Sequence, residues 1–286
     1  MNIGIGKYVE QFVDWSSTVG RPFFDQIASI IGNSVKGLQG GLNAVPPFLM
    51  IIIITLLAFL AMTGIRNFST NIKNYKRSFG LPIFVILGLF LVNAMGFWSQ
   101  LIDTLVLVII STIIILIIGI PLGILCAKSR KADAIVRPIL DFMQTMPAFV
   151  YLIPAILFFS VGDVPGVLAT VIFSLPPAVR MTTLGIKEVP EDIIEASLAF
   201  GCTGSQMLYK VQIPLAMPTI LAGVNQTIML ALSMVVICSM VGAGGLGESV
   251  YASIQQADMA LGFEAGLSIV ILAIILDRIT QAIGRK

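Results

Sequence analysis

The run 102–126 constrains this chain more than any other feature, because it is almost wholly Leu, Ile, Val and small residues, with Asp103 as its one charge. About 20 apolar residues in helical form cross a hydrocarbon layer, where a helix satisfies its own backbone hydrogen bonds. Comparable runs occupy 47–64, 79–97, 146–161, 164–179, 214–241 and 262–277, giving seven candidate spans. Runs 146–161 and 164–179 are short, interrupted by Pro147, Pro154 and Pro165, and separated only by Gly162-Asp163. They read as two tilted spans, or as one span plus a re-entrant piece. Charged residues make up 11% of the chain, too few to solvate a water-soluble domain, for which about 25% is usual. The expected class is therefore an all-α, polytopic membrane protein.

Basic residues collect in short cytoplasmic loops, and here they fall in alternate loops. Arg66, Lys73, Lys76 and Arg77 follow the first span, and Lys128, Arg130, Lys131 and Arg137 follow the third. Arg180, Lys187 and Lys210 follow the fifth, with Arg278, Arg285 and Lys286 in the tail. Loops 98–101, 162–163 and 242–261 hold none. This predicts an outer N-terminus and a cytoplasmic C-terminus. Residues 1–20 contain Lys7, Glu10, Asp14 and Trp15 without a continuous apolar core, so they do not read as a cleavable signal.

Before the first span, Phe24, Ile27, Ile31, Val35 and Leu38 recur at helical spacing, as do Ile5, Tyr8, Val9 and Phe12. Residues 1–45 are expected to form outer interfacial amphipathic helices. Residues 46–97 would then supply two additional spans, and 98–286 the core domain. Histidine is absent, and Cys126, Cys202 and Cys238 are far apart in sequence. Neither a metal site nor a disulfide framework is expected.

The longest polar interval, about 180–213, has helix signals of its own. Pro190 followed by Glu191 and Asp192 is a helix start, and Gly201 a stop. Thr203 with Gln206 forms a capping box for a second helix, which Pro214 is expected to end. Exposed Leu, Met, Tyr and Phe on such a hairpin call for a docking partner. Glu195-Ala196-Ser197, Gly201 and Val211-Gln212-Ile213-Pro214 reproduce a known spacing: E-A-A, three residues, G, nine residues, I-x-L-P. Ser197, Val211 and Ile213 are conservative departures from it. This resembles the EAA loop of binding-protein-dependent ABC importer permeases. In that family the loop forms a coupling helix seated in a cleft of the ATP-binding subunit.

Further stretches extend the resemblance over about 100–280. These are 144–154 (QTMPAFVYLIP), 175–182 (LPPAVRMT) and 242–247 (GAGGLG), and they resemble permeases for glycine betaine, proline betaine and related quaternary amines. The resemblance implies the type I importer permease fold and a permease subunit in the bacterial cytoplasmic membrane. It further implies a homodimer, two ATPase chains carrying ATP and magnesium, and an external substrate-binding protein. The chain itself would bind no cofactor and hold no catalytic residue. Alternatives are a permease for choline, carnitine or an amino acid, an ATP-independent carrier or channel, and a sensory scaffold.

The run from Gly242 through Gly244, Gly245 and Gly247 matches a dinucleotide fingerprint by letter, but an apolar span precedes it where a βαβ unit would need a strand. It reads as a flexible turn at the outer mouth. Glu264 and Asp277 are expected at the interfaces, since charges avoid the bilayer centre. Phe149, Tyr151, Met234 and Met240 are candidate pathway residues, aromatic faces being attractive to quaternary ammonium groups. The clusters Lys73-Lys76-Arg77 and Lys128-Arg130-Lys131 would attract anionic lipid, though setting topology already accounts for them.

Overall fold

The structure, a computed structural model, describes Ser16 and residues 20–63 and 80–284. The set Ile5 to Phe12, the basic loop Arg66 to Arg77, and Lys7, Arg285 and Lys286 lie outside the described residues. Every regular element within them is helical. In chain order these are α1 (Arg21–Asn43), α2 (Pro47–Thr63), α3 (Gly80–Ala94), α4 (Trp98–Lys128), α5 (Arg130–Thr145) and α6 (Ala148–Phe159). There follow α7 (Asp163–Lys187), α8 (Glu191–Ala199), α9 (Gly204–Val241), α10 (Leu246–Gln256) and α11 (Met259–Gly284).

Each of the seven apolar runs falls on a helix. Four of these, α4, α7, α9 and α11, are long and apolar enough to cross a membrane alone. The pairs α1–α2 and α5–α6 qualify only when joined, through bends of 105° and 98°. At 1.5 Å per residue α6 is about 18 Å long, short of the roughly 30 Å hydrocarbon core. Pro147 explains its abrupt start, since the residue before a proline is pushed out of helical geometry and Met146 is extended at ψ 136°.

α7 is the centre of the bundle, packed along α4 on one side and α9 on the other. Small residues allow the approach, as is usual where lipid supplies no hydrophobic drive between helices. A Cβ on Gly123 of α4 would sit 2.6 Å from Thr182 Cβ, and one on Gly223 of α9 would sit 2.6 Å from Met181 Cβ. Hydrogen bonds run alongside: Thr183 donates to the Gly123 carbonyl at 3.0 Å, and Thr227 to the Ser174 carbonyl at 3.3 Å.

α1 lies across the ends of α4, α6 and α7. Phe24 meets Phe158 and Phe159 of α6, with ring centroids 4.6 and 5.6 Å away. Ile31 and Val35 are buried as their spacing predicts, whereas Leu38 turns outward and is exposed. Three other expectations need correction. The interval after the third span is mostly the amphipathic helix α5, capped by Ser129, whose hydroxyl accepts the Ala132 N–H at 3.3 Å. Residues 246–256, read as loop, form α10. Pro214 does not stop its helix, because it occupies a position where the preceding six residues, Met207–Gln212, are wound as π-helix. The wider π turn accommodates the bond that proline cannot make, and α9 runs on to Val241.

Candidate functional site

The two ends of the bundle differ. At one end lie Lys128, Arg130, Lys131, Arg137, Lys187 and Lys210, at the other Gly162-Asp163 and the glycine turn 242–245. α8 stands at the basic end between α7 and α9. Pro190 is its N-cap, with Glu191 and Asp192 in the first turn, where the helix dipole favours them. Its far end is a complete Schellman closure. The Cys202 N–H donates to the Ser197 carbonyl at 3.1 Å and the Gly201 N–H to the Leu198 carbonyl at 2.9 Å, with Gly201 at φ +77°. Glycine at 201 is therefore a backbone requirement. Thr203 and Gln206 form the expected capping box.

Of the residues expected to form a coupling loop, Glu195, Ala196 and Gly201 are exposed, and Ser197 is half-buried with its hydroxyl donating to the Ile193 carbonyl at 2.7 Å. Val211 and Ile213 are half-buried and Pro214 is exposed. Ile213 packs against a separate small core of Ile186, Leu208, Ala216 and Ile220. That core joins the end of α7 to the start of α9, the two helices that flank α8 in the chain, and α8 itself packs against the π-wound start of α9. Leu198 and Phe200 face solvent, Phe200 at 90% exposure. Beside this end, Arg137, Arg180 and Lys187 line a cavity of ≈ 350 Å³ with Asp133 and Asp141. Arg180 and Lys187 belong to α7, whose helix continues to Lys187.

At the opposite end the glycine turn is docked on neighbouring helices by hydrogen bonds. The Gly244 N–H donates to Asp163 Oδ1 at 3.0 Å, the Leu246 N–H to Thr104 Oγ1 at 2.8 Å, and the Gly162 N–H to the Val241 carbonyl at 3.0 Å. Gly245 sits at φ +100°, and a Cβ there would lie 2.5 Å from Thr104 Oγ1. A Cβ on Gly247 would lie 2.8 Å from the Val235 carbonyl oxygen.

The candidate pathway residues do not converge. Met234 is wholly buried, Met240 and Phe149 are about half exposed, and Tyr151 donates its hydroxyl to the Met143 carbonyl. Glu264 is exposed, while Asp277 accepts from Asn225 and Gln281, each at 2.8 Å. Thr104 and Asp163 escaped sequence reading, since nothing in a linear order relates Thr104 to a backbone amide 142 positions on.

Among the described residues, a helical bundle with several helices of membrane-crossing length, and a structured helix at its basic end, is the architecture of a polytopic membrane protein. Residues 119–286 match the family described as the binding-protein-dependent transport system inner membrane component, and the chain belongs to that family. It is 49% identical over 284 residues to the glycine betaine transport system permease protein OpuAB of Bacillus subtilis (strain 168), covering 99% of this chain and 95% of that one. It is 50% identical over 284 residues to the glycine betaine/carnitine transport permease protein GbuB of Listeria monocytogenes serotype 1/2a (strain 10403S), covering 99% and 96%. The structure also superimposes on the MetNI methionine ABC transporter, solved in inward-facing conformations. There the TM-score is 0.60 at 25% identity, covering 64% of this chain and 91% of that one.

Proposed function

We propose that the chain is the permease subunit of an importer that carries glycine betaine or a closely related solute into the cell. The observation that carries the substrate is the near full-length similarity to OpuAB and GbuB, whose names both give glycine betaine. ATP would be hydrolysed on a separate chain, with magnesium, and this chain would serve as a non-catalytic membrane subunit. α8 supports that division of labour, as an exposed, well-capped helix carrying Glu195, Ala196, Leu198 and Phe200 between two membrane helices. An extracytoplasmic binding protein would deliver solute at the glycine-turn end, and a second copy of the chain would complete the pathway. The basic end faces the cytoplasm in this reading, the N-terminus faces outward, and seven apolar helices enter the membrane. Carnitine is the second substrate reading, favoured by the name of GbuB.

The test is uptake of labelled glycine betaine into proteoliposomes holding this chain, its ATPase and its binding protein. ATP-dependent uptake, lost when Ala196 is replaced by Trp, is the expected result. ATPase activity without betaine uptake would remove the substrate assignment. Uptake by this chain alone would remove the importer assignment.

A further inference from the structure

The glycine turn ties four helices, α4, α7, α9 and α10, together at one point. Thr104 belongs to α4 and is 1% exposed. Its hydroxyl accepts the Leu246 N–H at 2.8 Å while donating to the Gln100 carbonyl at 2.9 Å. Asp163 opens α7 and accepts the Gly244 N–H at 3.0 Å. The turn itself links α9 to α10. Beneath it, Cys238 is 1% exposed and its thiol donates to the Gly166 carbonyl of α7 at 3.3 Å. A Cβ on Gly166 would lie 3.1 Å from both Cys238 and Ala243, so α7 and α9 are in close contact here.

Two of the helices joined here, α7 and α9, are also the two that flank α8 in the chain at the far end. A displacement of α8 therefore acts on two rods whose opposite tips are held by the turn. Most bonds within this end belong to helices and cannot break without unwinding them. The contacts from Asp163 and Thr104 to the turn are different, because each joins a side chain to a loop amide. They can part while every helix stays intact.

We propose that Asp163 and Thr104 are positioning residues that latch this end of the permease shut, and that parting of their bonds to Gly244 and Leu246 accompanies its opening. The proposal rests on the importer reading for what opening accomplishes. The latch geometry stands independently of the solute carried.

Cys238 reports on the latch directly. The assembled transporter, with Cys126 and Cys202 replaced by Ser in this chain, is placed in proteoliposomes. A membrane-impermeant maleimide is added at the glycine-turn face without nucleotide, and modification of this chain is followed by mass. Asp163→Ala should label about 10-fold faster than the parent, the factor that corresponds to one lost hydrogen bond to a charged acceptor. Asp163→Asn, which keeps a neutral carbonyl oxygen as acceptor, should fall between the parent and Asp163→Ala. Thr104→Val, matched in shape but lacking the acceptor, should label faster, and Thr104→Ser should restore the slow rate. Parent-like labelling in both Asp163→Ala and Thr104→Val would overturn the latch. So would equal acceleration in Asp163→Ala and Asp163→Asn, which marks general loosening. If Asp163→Ala fails to fold, the Val and Ser variants at 104 decide alone. Betaine uptake by the parent, measured in the same vesicles, tests the substrate reading separately.

Discussion

Lys187, the last residue of α7, donates to Asp133 Oδ2 on α5 at 2.7 Å. Arg137, one turn further along α5, reaches the same oxygen at 3.3 Å. The hydrogen bond from Lys187 holds the Asp133 carboxyl below its ordinary value of 3.8, with the charges of Lys187 and Arg137 adding to the effect against partial desolvation. A depressed carboxylate contributes stability that is present above its unfolded value and lost as pH falls through the folded one. The gap in thermal stability between wild type and Asp133→Asn should therefore be constant from neutral pH down to about 4 and close below that. Lys187→Met should close the gap at a higher pH than wild type does. Aggregation temperatures in detergent from pH 7 to 3 would show both effects, and a pH-independent gap would contradict this account.

Gly245→Ala should cost stability on two grounds, a backbone region that only glycine enters easily and a collision with Thr104. Strain of that type costs about 1–3 kcal/mol. A chain of this size should then lose several degrees in aggregation temperature, at roughly 2–4 °C per kcal/mol. Gly244→Ala, where the nearest atom to an added Cβ is Asp163 Oδ1 at 3.9 Å, should be much milder.

Gly123→Leu should separate α4 from α7, because the added side chain meets Thr182 and the Val179 carbonyl, the latter 2.9 Å from its Cβ. Overpacking costs about 1–3 kcal/mol, and uptake should fall with it. Gly37→Ala on α1 has open space around it and should be neutral or slightly stabilising. Equal losses at the two sites would contradict the packing described for α7.

Asn225 on α9 and Asp277 on α11 share a 2.8 Å hydrogen bond. A double-mutant cycle of Asn225→Ala and Asp277→Ala, read from unfolding in mixed detergent, should return a coupling of about 0.6 kcal/mol and at most about 1.7. Zero coupling would mean that the contact does not join the helices energetically.

Phe200→Ser should leave thermal stability unchanged, since the ring is 90% exposed. It should lower ATP-driven uptake and weaken ATPase binding if α8 docks as proposed. A loss of stability without a loss of ATPase binding would place the ring in the fold instead of in a contact.

Hydropathy located the membrane helices because runs such as 102–126 leave few other possibilities. It located their ends less well. α7 continues to Lys187 and α9 passes Pro214 because a helix ends where its backbone bonds end, not where its side chains become polar. α5 is hard to distinguish from a basic loop in the sequence, because Arg130, Lys131 and Arg137 make it polar overall. Its apolar positions, Val136, Leu140 and Met143, follow the helical period all the same. α8 was readable in detail, since caps and closures are local: Pro190, Gly201, Thr203 and Gln206 each act within a few residues. The docking of the glycine turn depends on Thr104 and Asp163, contributed by helices distant in sequence, and the letters of 242–247 carry no trace of them.

The π segment Met207–Gln212 also sets the angular phase between α8 and the membrane. Each residue of an α-helix advances the winding by about 100°, whereas a wider turn holds one residue more per hydrogen-bonded ring. A helical wheel drawn uniformly from Gly204 to Asn225 therefore assigns the wrong faces beyond the segment. Deleting one residue within 207–212 would leave a regular α-helix that covers nearly the same total angle with one residue fewer, so α8 should keep its direction. The wide turn and its extra residue thus compensate each other, and a deletion there should be tolerated where an insertion into regular helix on either side would turn α8 by about 100°.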